Sequence, residues 1–199
     1  LVPLLTAARP ESARTLVRVP SNQPDIIGWA LDVGATGVIV PMVNSAAEAQ
    51  AAVDSCQYAP TGTRSVGPTR AGVIYGPNYV DEVIERVQCL PMIETIKALN
   101  ALDEILSVEG VNTIYVGPSD LSTSLGLGPG NHDGEAAFDE ALASIVETCR
   151  RHDVVPGIHA NTTLANRRLE QGFKIVTIVE DLGSLNAGFT SALNEISGR

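Results

Sequence analysis

The chain has 199 residues, 44% of them hydrophobic and 18% charged, enough apolar side chain for one substantial core and unlike disordered, coiled-coil or collagen-type sequences. A formal net charge of −10 argues against nucleic acid or an anionic membrane as the main partner, although one arginine can still dominate a pocket for a small anion. No apolar run approaches the ~20 residues that span a bilayer, and Arg9, Glu11 and Arg14 interrupt any signal-peptide core.

The chain opens in a helical pattern, Leu1–Ala8, rather than in a strand. An apolar run at Leu16–Val19 reads as the first strand, and a helix is expected at Gln23–Val33. A strand at Gly37–Pro41 and a helix at Ser45–Cys56 follow, the helix announced by Asn44-Ser45 before Ala46-Ala47-Glu48. After a long loop that includes Gly62–Pro68 come a helix at Tyr79–Arg86, a strand at Gln88–Glu94 and a helix at Ile96–Leu106. The pattern continues with a strand at Thr113–Gly117, a helix at Glu135–His152, a strand at Val154–His159, a helix at Thr162–Gln171, a strand at Lys174–Val179 and a helix at Ser184–Ile196. Gly34, Gly110 and Gly172 each stand where a helix stops before a strand.

These strands are continuous apolar runs, the pattern of parallel strands covered on both faces. Repeated strand–helix units mean a parallel α/β sheet, doubly wound or closed into a barrel. No GxGxxG or P-loop follows a strand, which weakens a nucleotide-binding reading. Charged residues at strand ends favour the barrel. The expected fold is therefore a (β/α)8 TIM barrel forming one domain over residues 1–199. Six strands are legible, and a full barrel usually takes about 250 residues. The sequence thus reads as a barrel lacking about two N-terminal βα units.

Cys56, Cys89 and Cys149 are odd in number, far apart and without CxxC spacing, so they read as small buried hydrophobes in a reducing, cytoplasmic setting.

Two apolar runs end on carboxylates, Leu90-Pro91-Met92-Ile93-Glu94 and Tyr115-Val116-Gly117-Pro118-Ser119-Asp120. In barrels the carboxyl ends of the strands carry the chemistry. Either acid could instead be a helix N-terminal carboxylate favoured by the macrodipole. Their recurrence on consecutive units favours a shared hard cation, Mg2+, Mn2+ or Co2+, with coordination positions left open for substrate. Arg18 ends the first strand and suits a substrate carboxylate or a developing enolate. Gly117, Pro118 and Ser119 lead into a helix whose first amides can hold an anion. His159 ends a strand and would face the same pocket, towards the variable half of the substrate. Lys97 and Lys174 are poorly placed for a Schiff base, so a lysine aldolase is not expected. The Gly62–Pro68 loop reads equally as a site wall or a subunit contact.

Val17-Arg18-Val19-Pro20, Leu31-Asp32-Val33-Gly34-Ala35, Val40-Pro41-Met42-Val43, Tyr58-Ala59-Pro60-Thr61-Gly62-Thr63-Arg64, Ile93-Glu94-Thr95, Leu102-Asp103-Glu104-Ile105-Leu106 and Gly117-Pro118-Ser119-Asp120-Leu121-Ser122 together resemble the HpcH/HpaI aldolase family. These are metal-dependent pyruvate aldolases of the phosphoenolpyruvate/pyruvate barrel superfamily. The resemblance implies that Glu94 and Asp120 ligate the metal, Arg18 stabilises the pyruvate enolate and the Ser119 amide holds the substrate carboxylate. It also implies that Asp32 partners a catalytic histidine carried by the two upstream units, and that the assembly is a homo-oligomer, a hexamer with helix exchange. Ser65 departs from the family's glycine after Arg64, the segment between Gly67 and Gln88 is short, and His159 replaces an apolar or small residue. The expected activity is cleavage of a 4-hydroxy-2-oxo acid to pyruvate and an aldehyde. A citrate-lyase-β-like acyl-CoA lyase, an oxaloacetate-decarboxylating synthase and a catalytically silent relative stand as alternatives. The CoA version ranks lower because no basic cluster for a CoA phosphate is evident.

Overall fold

The apolar runs pair side by side in chain order. The computed structural model describes residues 1–8, 14–67 and 69–197. Arg9, Glu11 and Pro68 lie outside the described residues. The elements are α1 (Val2–Ala7), β1 (Leu16–Arg18), α2 (Pro24–Asp32), β2 (Gly37–Val40), α3 (Ala46–Cys56), α4 (Thr69–Tyr75), α5 (Val83–Arg86) and β3 (Gln88–Ile93). They continue with α6 (Ile96–Asn100), α7 (Leu102–Leu106), β4 (Thr113–Val116), α8 (Pro118–Ser124), α9 (Ala136–Arg151), β5 (Val155–Ile158), α10 (Thr162–Glu170), β6 (Ile175–Val176) and α11 (Asp181–Ser197).

The six strands form one sheet in the order β1-β2-β3-β4-β5-β6, every neighbour parallel. A sheet that never reverses its strand order sends every right-handed crossover to the same face. The doubly wound alternative, in which the order reverses, is thereby excluded for these six strands. The large core packs the sheet against its helices, with Val38, Val40, Ile93, Ile114, Val116 and Ile158 fully buried. Side chains of the opposite strand parity form a second, smaller cluster of Leu90, Met92 and Tyr115, flanked by Leu16 and Ile39. The sheet curls around this second cluster, and Arg18 pairs in register with Ile39 at its edge.

Local chemistry sets the helix starts. The Ser45 hydroxyl accepts the Glu48 N–H at 3.3 Å, and the Glu48 carboxylate reaches back to the Asn44 N–H at 2.5 Å, a reciprocal cap. Thr95 caps α6 by accepting from the Ala98 N–H, and Asn161 caps α10 by accepting from the Leu164 N–H. Gly34 and Gly172 take positive φ directly after the C-caps of α2 and α10, as their placement predicted, whereas α7 is already capped at Ser107 and Gly110 takes its positive φ three residues further on, in the turn before β4. All three cysteines are buried and unpaired, and burial pushes the Cys149 thiol up to about 12. Among the described residues no helix is long and apolar enough to cross a membrane.

Four expectations need correction. The Tyr79–Arg86 helix shrinks to Val83–Arg86, because Tyr79 is drawn into the core, 2% exposed and stacked on Tyr75. The single helix at Ile96–Leu106 breaks at Ala101, whose N–H is shared between the Lys97 and Ala98 carbonyls. The strand at Lys174–Val179 reduces to Ile175–Val176 beside a four-residue β5. Helix α4 occupies part of what read as loop.

Helix α11 stands apart. Its residues are exposed along its length, and Leu182, Leu185, Phe189, Leu193 and Ile196 form an apolar stripe at helical spacing, each more than half exposed.

Candidate active site

Parallel strands carry all their carboxyl ends to one edge of the sheet. There β1, β3, β4 and β5 deliver Arg18, Glu94, the Gly117–Asp120 turn and His159. A cavity of about 310 Å³ opens at this edge, lined by Arg18, Ile39, Met92, Tyr115, Gly117, Pro118, Ser119, Asp120 and His159. Its floor is the small inner cluster of the sheet. The structure therefore gathers Arg18, Gly117, Pro118, Ser119, Asp120 and His159 around one space.

Glu94 is not among the lining residues: it lies behind Gly117 and is 1% exposed. Its Oε1 accepts the Met42 N–H at 2.7 Å, while its Oε2 is buried without a hydrogen-bond partner. The close neighbour of Oε2 is the bare Cα of Gly117, where an added Cβ would come within 2.5 Å of that oxygen. Burial pushes the Glu94 carboxyl above its ordinary value, and the Met42 N–H pulls it back down. The Asp120 charge adds to the rise and Arg18 opposes it. A buried carboxylate oxygen with no donor, under the influence of a second carboxylate, is costly unless something positive completes it.

Met42 orients its N–H by adopting a left-handed backbone, φ 57°, which costs a non-glycine residue on the order of 1 kcal/mol or more. The Asn44 side chain clamps that turn, donating from Nδ2 to the Met42 carbonyl at 2.7 Å.

The donor set fits a hard divalent cation. The Asp120 carboxylate lies near enough to act electrostatically on Glu94, and no group of three or more His, Cys, Asp or Glu that could hold a metal occurs among the described residues. Two such ligands would leave the other positions to water and substrate. Arg18 has no carboxylate partner within ion-pair distance among the described residues, so its guanidinium remains available to an anionic ligand.

The far wall is polar. The Tyr115 hydroxyl hydrogen-bonds the Thr177 hydroxyl and lies 3.5 Å from His159 Nδ1. Burial raises the Tyr115 phenol, partly offset by the Thr177 hydrogen bond. Neither Tyr115 nor Thr177 stood out in the sequence, where each read as strand filler.

Asp32 lies elsewhere. It ends α2, a helix that runs back from the strands' carboxyl ends, and so sits near their amino ends. Its Oδ1 accepts from Arg64 Nη2 at 2.6 Å, in a second cavity of about 290 Å³ with Trp29 and Thr63. The Arg64 side chain is buried between the rings of Tyr58 and Tyr79, 4.6 and 5.6 Å from its guanidinium carbon. The described part of that loop, residues 62–67, is thus anchored by one buried arginine, a role its position in a loop did not reveal.

The profile of the HpcH/HpaI aldolase/citrate lyase family matches residues 1–187. The chain is 39% identical over 188 residues to a hydroxypyruvate/pyruvate aldolase of Rhizorhabdus wittichii, covering 94% of this chain and 75% of that one. It is 37% identical over 190 residues to a 4-hydroxy-2-oxo-heptane-1,7-dioate aldolase of Klebsiella pneumoniae, covering 92% and 70% respectively. Its fold is similar to the crystal structure of an HpcH/HpaI aldolase from Desulfitobacterium hafniense, with a TM-score of 0.85 at 26% identity over 98% of this chain and 76% of that one. A family profile across almost the whole chain and aldolase relatives at this level of identity agree, and the chain belongs to the HpcH/HpaI aldolase/citrate lyase family of carbon–carbon lyases.

Proposed function

We propose that the protein is a divalent-metal-dependent aldolase that cleaves a 4-hydroxy-2-oxo acid, such as 4-hydroxy-2-oxoheptanedioate, to pyruvate and an aldehyde. The observation that carries this reading is the buried, unpartnered Glu94 Oε2, within electrostatic reach of Asp120 and Arg18. Glu94 and Asp120 would hold a cation such as Mg2+, Mn2+ or Co2+, which would supply Lewis-acid polarisation of the substrate's carboxylate and 2-oxo group.

The chain's own residues do the rest. The Ser119 N–H, in the first turn of α8 where amides lack an intrahelical acceptor, receives the substrate carboxylate. Gly117 and Pro118 form the wall against which the keto acid lies flat. Loss of the 4-hydroxyl proton breaks C3–C4, releases the aldehyde and leaves the C3 carbanion as pyruvate enolate. Arg18, unpaired at the cavity edge, stabilises that negative charge. His159 contacts the aldehyde half. The resemblance assigns the proton to an upstream histidine partnered by Asp32, but within this chain Asp32 lies apart from the cavity and bonded to Arg64, so the proton's acceptor is not assigned to any residue of this chain.

The CoA-dependent alternative has less support, since Arg18 is the only arginine or lysine among the residues lining the cavity. We read the six strands as part of a (β/α)8 barrel, supported by the match to 98% of this chain within a longer aldolase. The exposed stripe of α11 suits helix exchange between copies in a homo-oligomer, which light scattering on the full-length protein would read directly.

The test is pyruvate release from a 4-hydroxy-2-oxo acid by the full-length protein, before and after chelation and after adding back Mg2+, Mn2+ or Co2+. Activity should vanish with the metal and return with it. Turnover that survives complete metal removal would overturn the proposal.

A further inference from the structure

Beyond the cavity, a chain of hydrogen bonds runs along the same edge of the sheet and joins loops that follow four successive strands. In the loop after β1, Asn22 donates from Nδ2 to the Glu48 carbonyl at 2.9 Å. The Glu48 carboxylate accepts the Asn44 N–H at 2.5 Å in the turn after β2. Asn44 Oδ1 accepts from the Thr95 hydroxyl in the turn after β3. The next residue, Ile96, donates its N–H at 2.9 Å to the Ser124 hydroxyl of α8, the helix after β4. Ser124 lies one helical turn beyond Asp120 on that helix.

Asn44 is the central link. One face of its amide fixes the Met42 carbonyl, and so the left-handed turn that aims the Met42 N–H at Glu94 Oε1. The other face holds Thr95, the residue next to Glu94 in the chain. Both routes to Glu94 therefore pass through one side chain. A purely structural tie between loops needs only one of these bonds. Using both constrains the direction of Glu94 as well as its position, which matters where two like charges must face one ion.

We propose that Asn44 is a positioning residue for the Glu94–Asp120 cation site, holding Glu94 through the Met42 peptide and Thr95 while the same chain of bonds sets the spacing to α8. This rests on the metal-site reading given above. Asn44 touches neither cation nor substrate.

The test is Mn2+ titration of the full-length protein without substrate, read from the free-ion electron paramagnetic resonance signal, beside thermal melting. Asn44→Ala should weaken Mn2+ binding by about 10- to 100-fold, the usual effect of removing an outer partner of a ligand. Thr95→Val, which keeps shape and removes the hydroxyl, should also weaken it, whereas Thr95→Ser should bind as the wild type does. The double variant should lose less than the product of the two single losses, because they share one link. If Asn44→Ala fails to fold, the Val and Ser pair at Thr95 still decides. Variants that melt earlier yet bind Mn2+ within twofold of the wild type would overturn the positioning role and leave the site reading standing. A wild-type protein that binds no Mn2+ would bring down both.

Discussion

Two buried charged side chains, Glu94 and Arg168, meet opposite fates in this molecule. Arg168 on α10 is fully buried; its two terminal nitrogens are partnered and its Nε is not. Its Nη1 donates to Asp133 at 2.8 Å and to Gln171 at 2.6 Å, its Nη2 donates to Asn131, and the Phe138 ring lies 5.9 Å from its guanidinium carbon. This cluster pins the loop before α9 onto α10. Glu94 is almost as buried but has one oxygen without a donor and a second acid as neighbour. Each side chain has one buried atom without a hydrogen-bond partner, but Arg168 is ion-paired to Asp133, whereas Glu94 has no cationic side chain within ion-pair distance among the described residues.

The largest expected effect comes from breaking the uncompensated centre. Glu94→Gln keeps an acceptor for the Met42 N–H and removes the charge. It should lower kcat/KM by on the order of 10³, about 4 kcal/mol of barrier, with no loss of thermal stability. Arg168→Met should do the reverse. It leaves Asp133 with only the longer Arg167 contact at 3.6 Å and the Asn131 hydrogen bond, and should lower unfolding free energy by about 3 kcal/mol in urea titrations, with kcat/KM per folded molecule unchanged. A smaller functional effect is expected from Gly117→Ala. Its new Cβ would lie 2.5 Å from Glu94 Oε2 and must displace that carboxylate. Overpacking of this kind costs roughly 1–3 kcal/mol, and it should appear in metal affinity before it appears in stability.

The smallest effect is in pH dependence. Burial alone would raise the Asp133 carboxyl, but hydrogen bonds from Asn131 and Arg168 together with the arginine charges hold it below its ordinary value. A depressed folded value means stabilisation that is complete above the unfolded carboxylate value of about 3.9 and is lost as pH falls through the folded value. The stability gap between wild type and Asp133→Asn should be constant near neutrality and narrow below about pH 4. A gap that widens on acidification would contradict the assignment.

Much of this contrast was legible in the sequence, for physical reasons. A carboxylate or arginine closing an apolar run must emerge at the strand's carboxyl end, so Arg18, Glu94 and Asp120 could be placed on one edge before any coordinates. The strand positions followed from continuous apolar runs, and the starts of α3 and α10 from their capping residues. What could not be read depended on backbone direction or distant packing. Nothing in Val40-Pro41-Met42 announces a left-handed methionine, and Asn44 read only as a helix start. The sequence did not single out Arg168 at all, because its partners Asn131 and Asp133 arrive from a loop more than 30 residues away. Asp32 matched the family motif, yet within this chain its place in α2 sets it apart from the cavity and against Arg64.

The most direct measurement of the central claim is exchange of the pyruvate methyl protons in D2O, followed by proton nuclear magnetic resonance. It isolates enolate formation from aldehyde specificity. Full-length protein with Mg2+ or Mn2+ should erase the methyl signal, and chelation or Asp120→Asn should preserve it. Exchange that proceeds equally with and without metal, or that Asp120→Asn leaves untouched, would contradict the account.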